Sequence, residues 1–304
     1  MKAISIIFFF SAIFIFYGCF SEVESTPKIT YHKDDFNKNN PIATSLTSKI
    51  SNAPFKDWDI GKKFIVTDNK AKLALYSNSN IDSLSGCILR YAGFRDILSI
   101  TGTMSTDIFF LNENGDSISY HVNFSYDELI NRSSLEIPFL VQESLINDLN
   151  NLVRGKTFYI LTSSWKSIDG TEISGKKFVP VKIEKASIGN AIYPAKIIFI
   201  DSLNNTYFVY ITIDNKHQST RNFESVFSLS DPRNKYPHIN NLAWDYITNG
   251  TLKIGMTQEE CRLSIGYPQI VKDLSSTPSL IKQWEYENGY ILIFENGFLK
   301  EFKR

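Results

Sequence analysis

The residues of this chain that could carry covalent or metal chemistry are Cys19, Cys87 and Cys261, with His32, His121, His217 and His238. No two of the histidines have metal-ligand spacing, and none is placed to serve Cys87 or Cys261. A nucleophilic cysteine that opens a helix needs a histidine on a neighbouring strand. Cys87 instead follows Gly86 and precedes Ile88-Leu89, which reads as strand core. Ser163 with Lys166 and Ser279 with Lys282 have the Ser-x-x-Lys spacing by which a helix aims a lysine at a serine. Both pairs fall in turns or at strand edges, where that aim is lost. Neither a Gly-x-Ser-x-Gly elbow nor a phosphate-cradling glycine loop occurs, and the scattered carboxylates form no acid/base pair. The expectation is a chain without a catalytic constellation and without a metal or other cofactor. Cys87 and Cys261 lie far apart, so two separately buried thiols are expected, with a disulfide as the alternative in an oxidising compartment.

Cys19 has a different setting. Met1-Lys2 supplies a positive start, and Ala3 to Tyr17 is almost wholly apolar over about 15 residues, too short to span a bilayer as a helix. The run ends at Phe16-Tyr17-Gly18-Cys19, which resembles the lipobox of bacterial lipoprotein signal peptides. The resemblance implies cleavage of residues 1–18 and acylation of Cys19, and two or three acyl chains hold a protein stably on a membrane. Phe20, where an inner-membrane retention aspartate commonly stands, implies the outer membrane. Glu22 and Glu24 leave both a periplasmic and a surface-facing placement open.

The elements that would present a partner-binding surface are mostly strands. Hydrophobic residues make up 43% and aromatic residues 14%, with Phe and Tyr dominant, which favours a mainly β chain. Lys+Arg and Asp+Glu are equal at 32 each, and the absence of a basic excess or stripe argues against a nucleic-acid partner. At 304 residues the chain suits two or three small domains. Residues 19–55 are polar without an apolar period and read as a flexible tether with a reach of about 30 Å, or as a short tail with no spacing role.

Two segments then echo each other. Gly61-Lys62-Lys63-Phe64-Ile65-Val66-Thr67 is matched by Gly155-Lys156-Thr157-Phe158-Tyr159-Ile160-Leu161, and the Asn114-Gly115 turn by Asn204-Asn205. Ile118, Tyr120, Val122 and Phe124 alternate like Tyr207, Val209, Ile211 and Ile213, as half-buried antiparallel strands do. Residues 56–130 and 155–228 therefore read as two copies of a β unit of about five strands, compatible with a small SH3-like barrel and with a split sandwich. Between them, in the 131–154 linker, Leu145, Ile146, Leu149, Leu152 and Val153 have helical spacing up to Gly155.

Residues 236–304 read as helix, helix and three strands. Leu242, Trp244 and Ile247 define the first helix, and Thr257 with Glu260 is a capping box opening the second. Asn288-Gly289 and Asn296-Gly297 are two-residue hairpin signals between strands around Trp284–Tyr286, Tyr290–Phe294 and Phe298–Phe302. Ile254-Gly255-Met256-Thr257, Glu260-Cys261, Ile265-Gly266-Tyr267-Pro268 and Trp284-Glu285-Tyr286 resemble the SmpA/OmlA (BamE-like) family of envelope proteins. The resemblance implies an α-α-β-β-β sandwich, a fold shared with secreted β-lactamase inhibitors, and hence protein binding. The aromatic face around Trp284, Tyr286 and Tyr290 is the expected contact surface, with core packing as the alternative use of each ring.

Asp82-Ser83-Leu84, Asp116-Ser117-Ile118 and Asp201-Ser202-Leu203 resemble the acceptor of an O-glycosylation system for exported bacterial proteins, although Asp-Ser is also ordinary turn chemistry. The functional expectation is a lipid-anchored, non-catalytic binding or scaffold module with an envelope protein or glycan as partner. The alternatives are a peptidoglycan or glycan binder acting through the paired β units, and an envelope hydrolase or enzyme inhibitor.

Overall fold

The computed structural model of the protein describes residues 46–77, 83–100, 102–213, 221–275 and 280–304. Cys19 and the 1–18 leader lie outside the described residues. The described residues are mainly β, with 38% of them in strand and 20% in helix, in curled antiparallel sheets. That strand share exceeds the usual 20–25% or so of globular domains.

The first sheet contains β1 (Lys63–Val66), β2 (Leu75–Ser77), β3 (Ile88–Leu98), β4 (Met104–Leu111), β5 (Ser117–Val122) and β6 (Leu140–Gln142) in the order β6-β1-β3-β4-β5-β2. A short helix, α1 (Tyr126–Ile130), lies between β5 and β6, and α2 (Glu143–Val153) follows directly on β6. The second sheet contains β7 (Thr157–Ile160), β8 (Ser164–Ser167), β9 (Glu172–Ser174), β10 (Val179–Ile188), β11 (Ala195–Ile200), β12 (Thr206–Ile211) and β13 (Phe227–Ser228), the last preceded by helix α3 (Phe223–Val226). Its order is β13-β7-β10-β11-β12-β8-β9. With β9 set aside, this order repeats that of the first sheet strand for strand.

Local details repeat as well. Gly61 N–H donates to Tyr91 O at 2.7 Å, and Gly155 N–H to Ile183 O at 2.8 Å. Both glycines have positive φ (+89° and +76°), which a side chain rarely allows. The long strands β3 and β10 each carry a bulge just past that contact, at Tyr91/Gly93 and Ile183/Lys185. Their next hairpins close with the same five-residue turn. Asn112 Oδ1 accepts from Asn114 N and Asp116 N, and Asp201 Oδ1 from Leu203 N and Asn205 N. In each turn the Asx side chain caps the loop, and Gly115 or Asn204 takes the positive φ that closes it.

Each copy has its own core. In the first, Phe64, Leu89, Ile108, Phe110 and Ile118 are buried together; in the second, Phe158, Ile183, Ile197, Phe199 and Val209 are. The segments flanking the first copy are not free linkers. Leu135 and Ile137 belong to the first core, while Leu145, Ile146, Leu149 and Val153 of α2 belong to the second. Residues 46–55, expected to be tether, are also packed. Thr47 is 2% exposed and donates through its amide and hydroxyl to Glu224 Oε1 at 3.0 and 2.8 Å. Ile50 enters the second core and Phe55 the first. Apolar residues spaced too irregularly to mark a helix or strand escaped a reading based on period.

The third unit runs α4 (Asn241–Thr248), α5 (Gln258–Ile265), β14 (Ile270–Asp273), β15 (Ile281–Glu285), β16 (Ile291–Glu295), β17 (Phe298–Lys303), with a four-stranded meander in that strand order. The capping box forms as expected: Glu260 N–H donates to Thr257 Oγ1 at 3.2 Å, and Thr257 N–H to Glu260 Oε2 at 2.7 Å. Two expectations are corrected. The sheet has a fourth strand, β14, and Asn288-Gly289 sits in a three-residue turn closed by Tyr286 N–H to Tyr290 O at 2.9 Å. Asn296-Gly297 does make the two-residue hairpin, both residues having positive φ.

Candidate interaction surfaces

Trp284 and Tyr286 sit on the face of β15 and its following turn that packs beneath the helices. They are 3% and 8% exposed and belong to the third core. The guanidinium of Arg262, on α5, lies 5.7 Å over the Trp284 ring, and Phe294 packs against the same ring at 4.5 Å. Tyr286 donates its hydroxyl to Gly266 O at 3.1 Å, and burial raises its pKa far above that of a free tyrosine. Neither ring therefore contributes to an exposed contact surface. Alternation puts them on the apolar side of the sheet, as it must for large rings in a sheet with one covered face. Tyr290 is half-buried, with the Arg304 guanidinium 5.4 Å from its ring. A shallow hollow of about 400 Å³ opens beside them, lined by Tyr267, Gln269, Tyr286, Glu287 and Asn288.

Cys261 and Cys87 are both free. Cys261 is wholly buried, and burial pushes its thiol up to about 12, which removes it as a thiolate nucleophile. Cys87 is half-buried and donates weakly to Ser83 O. His121 Nδ1 lies 2.8 Å from Asp107 Oδ1, with Arg95 3.6 Å from the same carboxylate, on the outer face of the first sheet. His238 Nε2 lies 2.7 Å from Glu259 Oε2. Each of these histidines is oriented by a carboxylate, yet no group of three metal-binding side chains forms among the described residues. His32, His217 and Ser279 lie outside the described residues. Ser163 precedes β8 and Lys166 lies within it, where Lys166 pairs with Glu172 at 2.9 Å, so the serine–lysine aim is not made.

Ser83, Ser117 and Ser202 are all exposed. Ser117 begins β5, Ser202 lies in the β11–β12 turn, and Ser83 donates to Asn69 Oδ1 at 2.9 Å. An attached sugar would meet no core at any of the three.

A contact that the sequence did not signal joins the second and third units. Between β9 and β10, Lys177 N–H donates to Thr248 O at 3.0 Å, at the end of α4. Its ammonium donates to Leu263 O at 2.6 Å and to Ser264 O, the last carbonyls of α5. A cation there answers the orphan carbonyls and the negative end of the helix dipole. Burial nevertheless dominates and pulls the Lys177 pKa down to about 8. Phe178, with φ +58°, places its ring 5.8 Å from Trp244.

No protein family, no curated protein and no solved structure matches this chain.

Proposed function

We propose that the chain is a lipid-anchored cell-envelope protein that acts as a non-catalytic binding or scaffold module. The observation that carries this reading is the N-terminal run from Met1-Lys2 through an apolar stretch to Gly18-Cys19. Cleavage before Cys19 and acylation of its thiol tie the ectodomain to the outer membrane. The two β units are read as SH3-like barrels, supported by a bent, bulged third strand and by a closing strand that returns beside the first. The third unit is read as SmpA/OmlA-like on its α-α-β order and its Gly-Met-Thr and Ile-Gly-x-Pro positions, and it serves as a protein-binding module. No helix among the described residues is long and apolar enough to cross a membrane.

A second reading, a peptidoglycan or glycan binder, draws on the duplication itself, since two like modules on one chain raise avidity for a repeating polymer. Sedimentation with purified cell wall separates it from the first: the scaffold stays in the supernatant and a glycan binder pellets.

Intact-mass analysis of protein extracted from membranes tests the anchor. The expected species begins at Cys19 and carries diacylglyceryl and acyl masses, and Cys19→Ala releases the protein from the membrane fraction. An unacylated mature N-terminus overturns the reading. The same spectra report hexose on Ser83, Ser117 or Ser202.

A further inference from the structure

The two copies differ where their outer faces are compared position by position. Across β3, β4 and β5 the first copy places Arg95, Asp107 and His121 side by side, a charge-compensated trio. Counted from the shared bulge and the shared turn, the second copy places Ser187, Lys196 and Tyr210 there. One row further along, Lys185, Ile198, Phe208 and Lys166 stand in register, and Lys182 lies beside Ile200 beyond them. Lys166 is paired with Glu172. Lys182, Lys185 and Lys196 make no ion pair among the described residues, and Glu184, the carboxylate at the bulge between two of them, pairs with none.

This face also buries apolar side chains where a solvent-facing sheet would not. Phe208 is 4% and Ile198 8% exposed, and the Lys196 ammonium lies 5.1 Å from the Phe208 ring. Lys196 thus covers apolar surface, while Lys182 and Lys185 stand exposed on the same face. Ammonium groups without a carboxylate partner, spread over neighbouring strands of one sheet face, match a surface of phosphates better than they match one small ligand.

We propose that the outer face of the second sheet rests on the phosphate head groups of an anionic lipid surface. The proposal rests on the reading of Cys19 as the anchor. The described structure begins at Leu46, and the segment that opens it is fastened to the second unit by Thr47 and Ile50. Leaving Cys19, the chain meets the second unit at Thr47 and Ile50 before it meets the first at Phe55. Each lysine near such a surface is worth about fivefold in partitioning, so the three together give about a hundredfold.

The test uses unacylated protein from Phe20 onward, which keeps every described residue and does not depend on the lipid. Its binding is measured on phosphatidylcholine vesicles with and without about one-third phosphatidylglycerol. The expected result is binding to the anionic vesicles alone, lost in about 0.5 M salt, where screening is short-ranged. Lys182→Gln/Lys185→Gln/Lys196→Gln weakens it about a hundredfold. Lys63→Gln/Arg90→Gln/Arg95→Gln, the same charge change on the first copy, leaves it within about twofold. Equal loss in the two triple variants, or no preference for phosphatidylglycerol, overturns the proposal. So does binding to a DNA duplex or an acidic glycan with none to the vesicles. Acylation of Cys19 is read separately by mass, so either idea can fail without the other.

Discussion

At the scale of single residues, Lys177 and Cys261 make opposite statements about pH. Burial lowers the Lys177 pKa from 10.5 to about 8, so between those values the unfolded chain holds a proton that the folded chain has lost. Stability from this group therefore rises as pH climbs from 8 towards 10.5, by an amount on the order of 1–3 kcal/mol. Cys261 works the other way. Its thiol, raised from 9.0 to about 12, keeps its proton in the fold after the unfolded chain releases it, so its contribution falls above pH 9. The two oppose each other in the wild type, and a difference experiment separates them. Thermal unfolding of Lys177→Met against wild type should show the wild type gaining relative stability from pH 8 to pH 10; a flat difference contradicts the buried ammonium. None of this was legible in Gly175-Lys176-Lys177, whose neighbours in sequence offer neither lysine a partner. Only the tertiary approach of two helix ends makes one of the lysines a cap. The aromatic face around Trp284 failed for the complementary reason. Alternation tells which residues share a side of a strand but not which side the helices cover.

At the scale of elements, the sequence was most informative where local chemistry alone decides the outcome. The Thr257–Glu260 box and the Asn296-Gly297 hairpin depend on neighbours within four residues. Thr257→Ala removes the acceptor at the start of α5 and should cost about 1 kcal/mol, read as a lower denaturant midpoint with an unchanged slope. By contrast β14 offers only Ile270-Val271-Lys272-Asp273, one cycle of alternation, and is held by its register with β15. Four residues carry too little period to distinguish a strand from a loop. The echo between Gly61–Thr67 and Gly155–Leu161 was legible because a positive-φ glycine followed by an alternating apolar strand is set by local sterics. The two bulges were not, since they answer to the curl of the whole sheet.

At the scale of the molecule, zero net charge concealed a segregation of charge. Equal totals of acidic and basic residues exclude a uniformly basic surface, but they leave room for three lysines of the second sheet, Lys182, Lys185 and Lys196, to stand without an ion pair among the described residues. The same averaging hid residues 46–55 within a polar stretch. There Ile50 is 8% exposed and packed in the second core. Ile50→Ala should lower stability by about 2 kcal/mol, at the lower end for a buried isoleucine, whereas a free tail would register no change in the denaturant midpoint.

The Thr47–Glu224 attachment also separates mechanical order from chain order. A pull arriving through the N-terminus is taken up first where Thr47 and Ile50 grip the second unit, and the unit that comes first in sequence is bypassed until that grip gives way. The first sheet therefore hangs outside the line of tension, shielded by a short strap from any load that enters through the N-terminus.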